Sequence, residues 1–322
     1  MKTAKFRDLS VIIADSSVPV PGNSQLLVQV KYAGLNRPDL LQKMNLYPPV
    51  PGTTDTPGLE LSGTVHSIGK DVSGFKEKDS VFALVPGGAF AEYAIVDVAC
   101  CAKIPDGFSE QEAAAIPENY MTTWDNMVTR GNLKKDELVL IMGASGGIGN
   151  AAIHISRFFG AIPVAVVSTD EKAEFCRTVG AVHTINRSKE DIFEKCSEIS
   201  SGQGIDLILD IVGKDNFRNY LKILRPEGRL AVIALMSGSD SEIDLRTLMM
   251  KRLTVFGSTL RPRTPAQKGA ILSSLLEMFL PVFRKSGFKI HVDSVFPLDA
   301  LSAALDKMQR NEHSGKILIS FP

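Results

Sequence analysis

The stretch Glu137-Leu138-Val139-Leu140-Ile141-Met142-Gly143-Ala144-Ser145-Gly146-Gly147-Ile148-Gly149 decides how the rest of the chain is read. Its apolar run, Leu138 to Met142, is too short for a membrane span and stops at a glycine-rich turn, which is the pattern of a buried parallel strand. Behind the turn Ile148, Ala152, Ile155 and Phe159 recur at helical spacing. A helix therefore starts at the glycines and lays one apolar face on the strand. A second apolar strand follows, Val164 to Val167.

Strand, tight turn, helix and strand together form a unit of the dinucleotide-binding kind. Glycine lets the backbone turn sharply and approach a pyrophosphate, which the amides at the helix N-terminus then face. Read as G-x-G-x-x-G the fingerprint is imperfect, with Ala144 in the first place before Gly146 and Gly149. A merely structural βα turn is the competing reading. The end of the second strand bears on which nucleotide is bound. A carboxylate there holds the ribose 2′-hydroxyl of NAD and repels a 2′-phosphate. This chain has Ser168 and Thr169, then Asp170, Glu171 and Lys172. The position is neutral, Lys172 lies a turn further on, and Arg187 adds a second cation if the next strand ends near Ile185. NADPH is favoured. Asp170 dissents, although carboxylates that open helices commonly act as caps.

With 322 residues and 44% apolar content the chain can bury a substantial core, and its length suggests two domains. Lys+Arg and Asp+Glu each number 36, which favours no polyanionic partner such as a nucleic acid. No cationic leader with an apolar core precedes Lys2 to Arg7, and no apolar run approaches the roughly 18 residues of a membrane span. The expectation is a soluble, cytoplasmic protein without membrane attachment. Cys100, Cys101, Cys176 and Cys196 form no C-x-x-C pair and have no His cluster nearby, so reduced thiols are expected. Cys100 and Cys101, adjacent on a strand, would point to opposite faces.

Before the nucleotide unit, Leu26 to Tyr32, Leu61 to Ile68 and Ser80 to Leu84 are short β-rich runs divided by Pro and Gly turns, and helical periodicity is scarce. Residues 1–117 read as a compact β-rich domain. After Val167, Leu207 to Ile211, Arg229 to Leu235 and Leu253 to Gly257 look like further parallel strands, each preceded by helix-like sequence, which predicts a six-stranded doubly wound sheet over residues 118–263. An amphipathic helix from Pro265 to about Lys285, a helix containing Leu301, Ala304, Leu305 and Met308, and the strand Lys316 to Ser320 belong to residues 264–322, expected to return to the first domain.

The runs Gly34-Leu35-Asn36-Arg37-Pro38-Asp39-Leu40-Leu41, Tyr47-Pro48-Pro49, Pro57-Gly58-Leu59-Glu60-Leu61-Ser62-Gly63, Gly88-Ala89-Phe90-Ala91-Glu92-Tyr93, Ala115-Ile116-Pro117-Glu118 and Ser314-Gly315-Lys316-Ile317-Leu318 occur in that order. In them the chain resembles the quinone oxidoreductase branch of the medium-chain dehydrogenase/reductase superfamily, most of all the tumour-suppressor-inducible quinone oxidoreductases. The resemblance spans nearly the whole chain. It implies an α/β protein with a catalytic domain like the GroES co-chaperonin barrel, a Rossmann domain, and an active site in the cleft between them.

Where the zinc alcohol dehydrogenases of that superfamily place a cysteine ligand, this chain has Asn36, and where they have Gly-His-Glu it has Gly58-Leu59-Glu60. An amide and a leucine supply neither the thiolate nor the imidazole of a catalytic zinc site, and the four-cysteine structural lobe is absent. No metal is expected. Without a Lewis acid an unactivated ketone is a poor acceptor, whereas a quinone or activated enone is already electrophilic and spreads the incoming charge. The resemblance thus implies direct hydride transfer from NADPH to a small-molecule quinone, with protons from water or a nearby hydroxyl.

At the acceptor end the candidates are Asn36, Tyr47 and Asp39. Asn36 occupies the position of the metal ligand and offers a hydrogen bond to cofactor or acceptor, or else satisfies its own turn. Tyr47 matches a pocket tyrosine of similar reductases or, beside Pro48-Pro49, is a surface loop residue, and Asp39 is expected to order the loop more than to move protons. For the cofactor the resemblance implies contacts from Thr122, from Ser145, Gly146, Gly147 and Ile148 on the pyrophosphate, and from Ser168, Lys172 and Arg187 on the 2′-phosphate. Similar enzymes commonly have tyrosine where Arg187 stands. The strand ends Val212-Gly213, Leu235-Met236 and Gly257-Ser258 should border the nicotinamide half, and Lys316 is expected to approach from the last strand. Two other functions stay open: reduction of an activated C=C bond in an enal, enone or enoyl thioester, and a non-enzymatic role like that of relatives that are lens crystallins or bind RNA. The neutral charge and 7% aromatics do not favour RNA. Similar proteins pair the strand Leu253 to Gly257 across a two-fold axis, so a homodimer is expected.

Overall fold

In the computed structural model, which describes residues 1–322, the chain divides into two units. One comprises Met1–Met121, Leu260–Arg284 and Ile290–Pro322; the other comprises Thr122–Thr259 and Lys285–Lys289. The architecture is α/β.

In the second unit the strand Leu138–Met142 lies inside a six-stranded sheet, in the order His183–Asn186, Ile162–Val167, Leu138–Met142, Ile205–Asp210, Leu224–Val232, Thr254–Gly257. Every pairing is parallel. Numbered along the chain, the strand order is 3-2-1-4-5-6, the doubly wound Rossmann arrangement, whose direction reverses beside Leu138–Met142. The strands read as continuous Val, Ile and Leu runs because helices cover both faces of such a sheet. Leu140, Met142, Val164, Val166, Ile185, Ile208 and Leu230 form its core with Tyr220 and Leu221 of the helix Lys214–Ile223.

Two strands end sooner than the apolar runs suggest. Ile205–Asp210 stops because the Asp210 carboxylate accepts the amides of Val212 (2.8 Å) and Gly213 (2.9 Å) and turns the chain. Leu224–Val232 stops before Leu235 and Met236, which are 52% and 45% exposed in the loop beyond. These two are therefore not strand core.

The first unit holds a seven-stranded sheet, in the order Val292–Pro297, Lys316–Ser320, Gln25–Gly34, Glu60–Ile68, Ser80–Leu84, Cys101–Lys103, with Tyr93–Asp97 also pairing on Gln25–Gly34. All its pairings are antiparallel except Val292–Pro297 on Lys316–Ser320. A hairpin, Lys2–Arg7 with Ser10–Asp15, turns at Asp8 and Leu9, both at positive φ (49° and 60°) as a two-residue hairpin turn requires. The core of this unit gathers Leu26, Val28, Val30, Leu61, Val81, Ala83 and Ile317 from the strands, Phe90 from the bend before Tyr93–Asp97, and Leu301, Ala304, Leu305 and Met308 from the helix Leu301–Gln309.

Three local readings are corrected. Amid the β-rich sequence a short helix forms at Arg37–Lys43, with Pro38 in its first turn, where a missing N–H costs nothing. The helix from Pro265 ends at Met278, and Leu280–Phe283 follows as a separate turn, because Pro281 cannot donate to an uninterrupted helix. Cys100 closes a 3₁₀ turn, Val98–Cys100, and only Cys101 begins a strand, so the vicinal pair does not alternate across a sheet. All four cysteines are free and buried.

Candidate functional site

The glycine turn is held by backbone geometry and by one side chain. Gly143 sits at φ +65°, and Gly149 packs so closely that a Cβ would stand 2.3 Å from the Cα of Ala144. Ala144 in the first fingerprint place is thus the surface on which Gly149 rests. The helix Gly147–Phe158 opens after Gly146, which has no side chain to cap it. Its first amides lack intrahelical acceptors and carry the positive end of the dipole, which suits a pyrophosphate. Asn150 ties the turn together, its Nδ2 donating to the carbonyls of Ala144 (3.3 Å), Ser145 (3.2 Å) and Gly146 (2.8 Å). Its buried Oδ1 has no hydrogen-bond partner.

At the end of Ile162–Val167, Ser168 and Lys172 are half-buried and Arg187 is exposed. Thr169 caps the helix Asp170–Val179 by accepting the Lys172 amide at 3.2 Å. Asp170 is already engaged, since its carboxylate accepts from Asn186 Nδ2 at 2.6 Å and pairs with Lys189. These bonds hold its pKa below the ordinary carboxylate value. Ser188 donates to the Ser168 carbonyl at 2.9 Å, which brings the cation-bearing loop against the strand end.

Thr122 and Ser258 meet through a residue the sequence reading did not single out. Ser258 Oγ donates to Asn126 Oδ1 at 2.9 Å, and Asn126 Nδ2 donates to the Thr122 carbonyl at 2.8 Å. Asn126 lies in a π-helical segment, Asp125–Arg130, of a kind frequent at functional sites. The Thr122 hydroxyl is buried with no hydrogen-bond partner. Val212 is joined to the next loop by Ser237, whose amide and hydroxyl donate to its carbonyl at 2.8 and 2.9 Å. Gly213, Phe217, Val232, Leu235 and Ser239 line a cavity of about 320 Å³ at this carboxyl edge.

The other unit gathers its candidates into a buried polar cluster. Glu60 is 0% and Lys316 4% exposed, and the two form an ion pair. Asn36 bridges them: its Nδ2 donates to Glu60 Oε1 (2.8 Å) and the Gly34 carbonyl (3.2 Å), and its Oδ1 accepts from Lys316 Nζ (2.6 Å). Gly34 leaves room for this pair, because a Cβ would stand 2.3 Å from Glu60 Oε1 and 2.7 Å from Lys316 Cε and would push both side chains aside. Asp39 is fully buried and accepts the amides of Asn36 (2.8 Å) and Gly58 (3.1 Å), so it orders the loop. Burial pushes its carboxyl up to about 7 against those two amides.

Tyr47 is half-buried, with the Arg261 guanidinium 5.3 Å from its ring centroid. Burial raises its phenol above the usual value. Arg261 is itself buried; its Nε donates to the Pro86 carbonyl and its Nη2 to Gln42 Oε1, both at 2.8 Å, while Nη1 has no partner. Glu118 donates its amide to Glu60 Oε2 at 2.8 Å. No group of three or more His, Cys, Asp or Glu side chains is arranged to hold a metal ion.

The family profile for zinc-binding dehydrogenases matches residues 147–273, and that for the alcohol dehydrogenase GroES-like domain matches residues 22–106. Over 300 residues the chain is 28% identical to quinone oxidoreductase-like protein 2 of Mus musculus, covering 93% of this chain and 85% of that protein. It is 28% identical over 315 residues to the synaptic vesicle membrane protein VAT-1 homolog of Homo sapiens, covering 94% of this chain and 80% of that one. The crystal structure of the Pseudomonas syringae quinone oxidoreductase superposes with a TM-score of 0.89 at 25% identity, covering 99% of each chain. Both matched domains, in that order, make the chain similar to the medium-chain dehydrogenase/reductase superfamily. Its likeness falls in the quinone oxidoreductase branch.

No helix of the chain is long and apolar enough to cross a membrane. Among its polar groups Asn126, Asn150 and Arg261 escaped the sequence reading. For Asn150 a signal existed, an amide one turn into a helix that opens on glycines. Nothing local marks Arg261, whose partners lie far along the chain, and Asn126, though it bonds Thr122 four residues before it, meets Ser258 only across 132 residues.

Proposed function

We propose that this protein is a reductase that passes a hydride from NADPH to a quinone without a metal ion. The observation that carries this reading is the commitment of Asn36. At the position of the ligand in the zinc enzymes, its amide oxygen and nitrogen are taken up by Lys316 and Glu60. With Leu59 beside Glu60, that corner supplies neither thiolate nor imidazole. A conjugated acceptor suits a site of this kind, because it needs close approach and exclusion of water more than polarisation by a cation.

The residues of the second unit fit a dinucleotide. The uncapped helix start at Gly147 and the close packing at Gly149 suit a pyrophosphate, and the unpartnered Asn150 Oδ1 and Thr122 Oγ1 offer buried polar atoms for contact. When bound, the reduced nicotinamide supplies the hydride. Ser168, Lys172 and Arg187 are assigned to the 2′-phosphate. The engagement of Asp170 with Asn186 and Lys189 supports NADPH, since it supplies a local reason for that carboxylate apart from a ribose hydroxyl. Tyr47, steadied by Arg261, is assigned to the acceptor. Val212, Leu235, Met236 and Ser258 are assigned to the nicotinamide half.

The deciding experiment follows NADPH oxidation against quinones, enals and enoyl thioesters. Quinone turnover is the expected result. Turnover of enals or enoyl thioesters alone would move the assignment to C=C reduction, and NADPH left unoxidised in the presence of every acceptor would sink it. A tightly held zinc in the purified protein would overturn the metal-free mechanism. We further assign homodimer formation to the edge strand Thr254–Gly257, paired on one side only and preceded by exposed Leu245, Met249 and Met250. Such an edge invites a partner strand. A monomer on size exclusion would refute the assembly.

A further inference from the structure

Asn126 joins Thr122 to Ser258, and the chemistry of its two bonds leaves no freedom in which atom faces which. Asn126 is fully buried, and all three residues belong to the unit that carries the doubly wound sheet. The Thr122 carbonyl can only accept, so the atom that faces it at 2.8 Å is the donor Nδ2. The amide oxygen therefore faces Ser258, whose hydroxyl spends its one proton on it at 2.9 Å. Ser258 is fixed through its backbone as well, since its amide donates to the Val232 carbonyl at 3.3 Å. The π-helical segment that carries Asn126 is itself braced on the edge strand, where the Arg130 guanidinium lies 5.2 Å from the ring centroid of Phe256. The Ser258 oxygen is left with lone pairs only. Its residue is half-buried and directly follows the strand Thr254–Gly257, at the carboxyl edge where doubly wound sheets bind their ligands.

We propose that Asn126 is a positioning residue for the dinucleotide, which by holding the Ser258 proton turns that hydroxyl into an acceptor for an N–H of the nicotinamide carboxamide. The inference rests on the dinucleotide reading above and goes beyond it by naming the ligand group and the polarity of its contact. A serine hydroxyl left to itself rotates to donate or to accept, and so selects neither kind of partner. With its proton committed to Asn126 it favours a group that brings its own hydrogen. On the nicotinamide ring the carboxamide nitrogen is the group that does so. A carbonyl oxygen set against the same lone pairs is repelled, so the carboxamide is held with its nitrogen toward Ser258. Asn126 itself touches neither the ring nor any reacting atom.

The test measures binding by calorimetry, with no acceptor present, for three probes: NADPH, its acetylpyridine counterpart, in which a methyl replaces the carboxamide nitrogen, and 2′-phospho-ADP-ribose, which lacks the ring. Wild type, Ser258→Ala and Asn126→Leu are compared, each variant first shown to keep the wild-type circular dichroism. Wild type should bind NADPH about tenfold more tightly than the acetylpyridine dinucleotide, the effect of one hydrogen bond whose half-buried acceptor is otherwise left unmatched. In Ser258→Ala that preference should shrink to about twofold or less, and in Asn126→Leu likewise, because the hydroxyl is then free to turn. Affinity for 2′-phospho-ADP-ribose should stay the same in all three proteins, whereas a merely structural role for Asn126 would weaken every probe alike. Equal affinity of wild type for the two dinucleotides overturns the proposal. So does an Asn126→Leu protein that keeps the full preference, or one that loses NADPH and 2′-phospho-ADP-ribose in equal measure. Wild type that binds none of the three probes refutes the dinucleotide reading itself, and the contact falls with it.

Discussion

The two polar sites of this chain are assembled over very different lengths of sequence. Around the glycine turn, Asn150 reaches carbonyls 6, 5 and 4 residues before it. In the other unit Lys316 reaches Asn36 across 280 residues, and Arg261 reaches Gln42 across 219. The first site is written by local chemistry and survives as long as one turn keeps its shape. The second exists only when distant strands are in register, so it is coupled to the stability of the whole unit.

That coupling predicts the largest effect. Lys316→Met leaves the buried carboxylate of Glu60 with no cation, held only by the Asn36 amide and the Glu118 backbone N–H, and breaking such a pair costs about 3–5 kcal/mol. Urea denaturation should show a loss of that size, and adding Glu60→Gln to the same chain should return part of it. A single-variant loss below about 1 kcal/mol would mean that the cluster is no more dependent on its partners than an exposed ion pair is.

The same contrast decides what could be read from the chain alone. The run Leu138–Met142, the turn and the helix behind it were legible because apolar spacing and glycines act within a few residues. The doubly wound sheet followed from repeats of that pattern. Lys316 was noticed as part of a terminal motif, but nothing near it announces Glu60 as its partner, and the role of Gly34 appears only when the Cβ it lacks is seen to fall on both. Asp210 ended a strand early through a bond to amides that an apolar run conceals. Leu235 and Met236 read as strand, since exposure depends on what the fold leaves uncovered.

At the local site the expected effects are smaller. Gly149→Ala sets a Cβ 2.3 Å from the backbone of Ala144, where no side chain can yield. Overpacking of this kind costs about 1–3 kcal/mol. The turn is deformed with it, so NADPH affinity measured by calorimetry should fall together with the melting temperature. Unchanged affinity in a destabilised protein would separate the turn from the nucleotide.

Lys172→Ala sharpens the cofactor assignment. Losing one charged contact to a 2′-phosphate should raise the KM for NADPH about tenfold, near 1.4 kcal/mol, and leave that for NADH within about twofold. Equal effects on both cofactors would remove Lys172 from the phosphate site.

The smallest effect is a slope, and it turns on Asp39. An unfolded chain releases the proton of an aspartate near its ordinary value of about 3.9, whereas burial holds it in the folded protein up to about 7. Between those values the folded state binds more protons than the unfolded one, so this group makes stability fall as pH rises. Its contribution is complete below the unfolded value and is gone above the folded one. Asp293 acts in the opposite sense: Lys307, the Ser314 amide and Ser294 outweigh burial and hold its carboxyl low, so its stabilisation is lost in acid. Against wild type, Asp39→Asn removes the first slope and keeps the second. The difference in unfolding free energy between the two proteins should therefore change steadily in favour of the variant from about pH 4 to about pH 7 and stay constant beyond. A difference independent of pH would show that the two amides on Asp39 cancel its burial, so that the long-range cluster holds this carboxyl no differently from an unfolded chain.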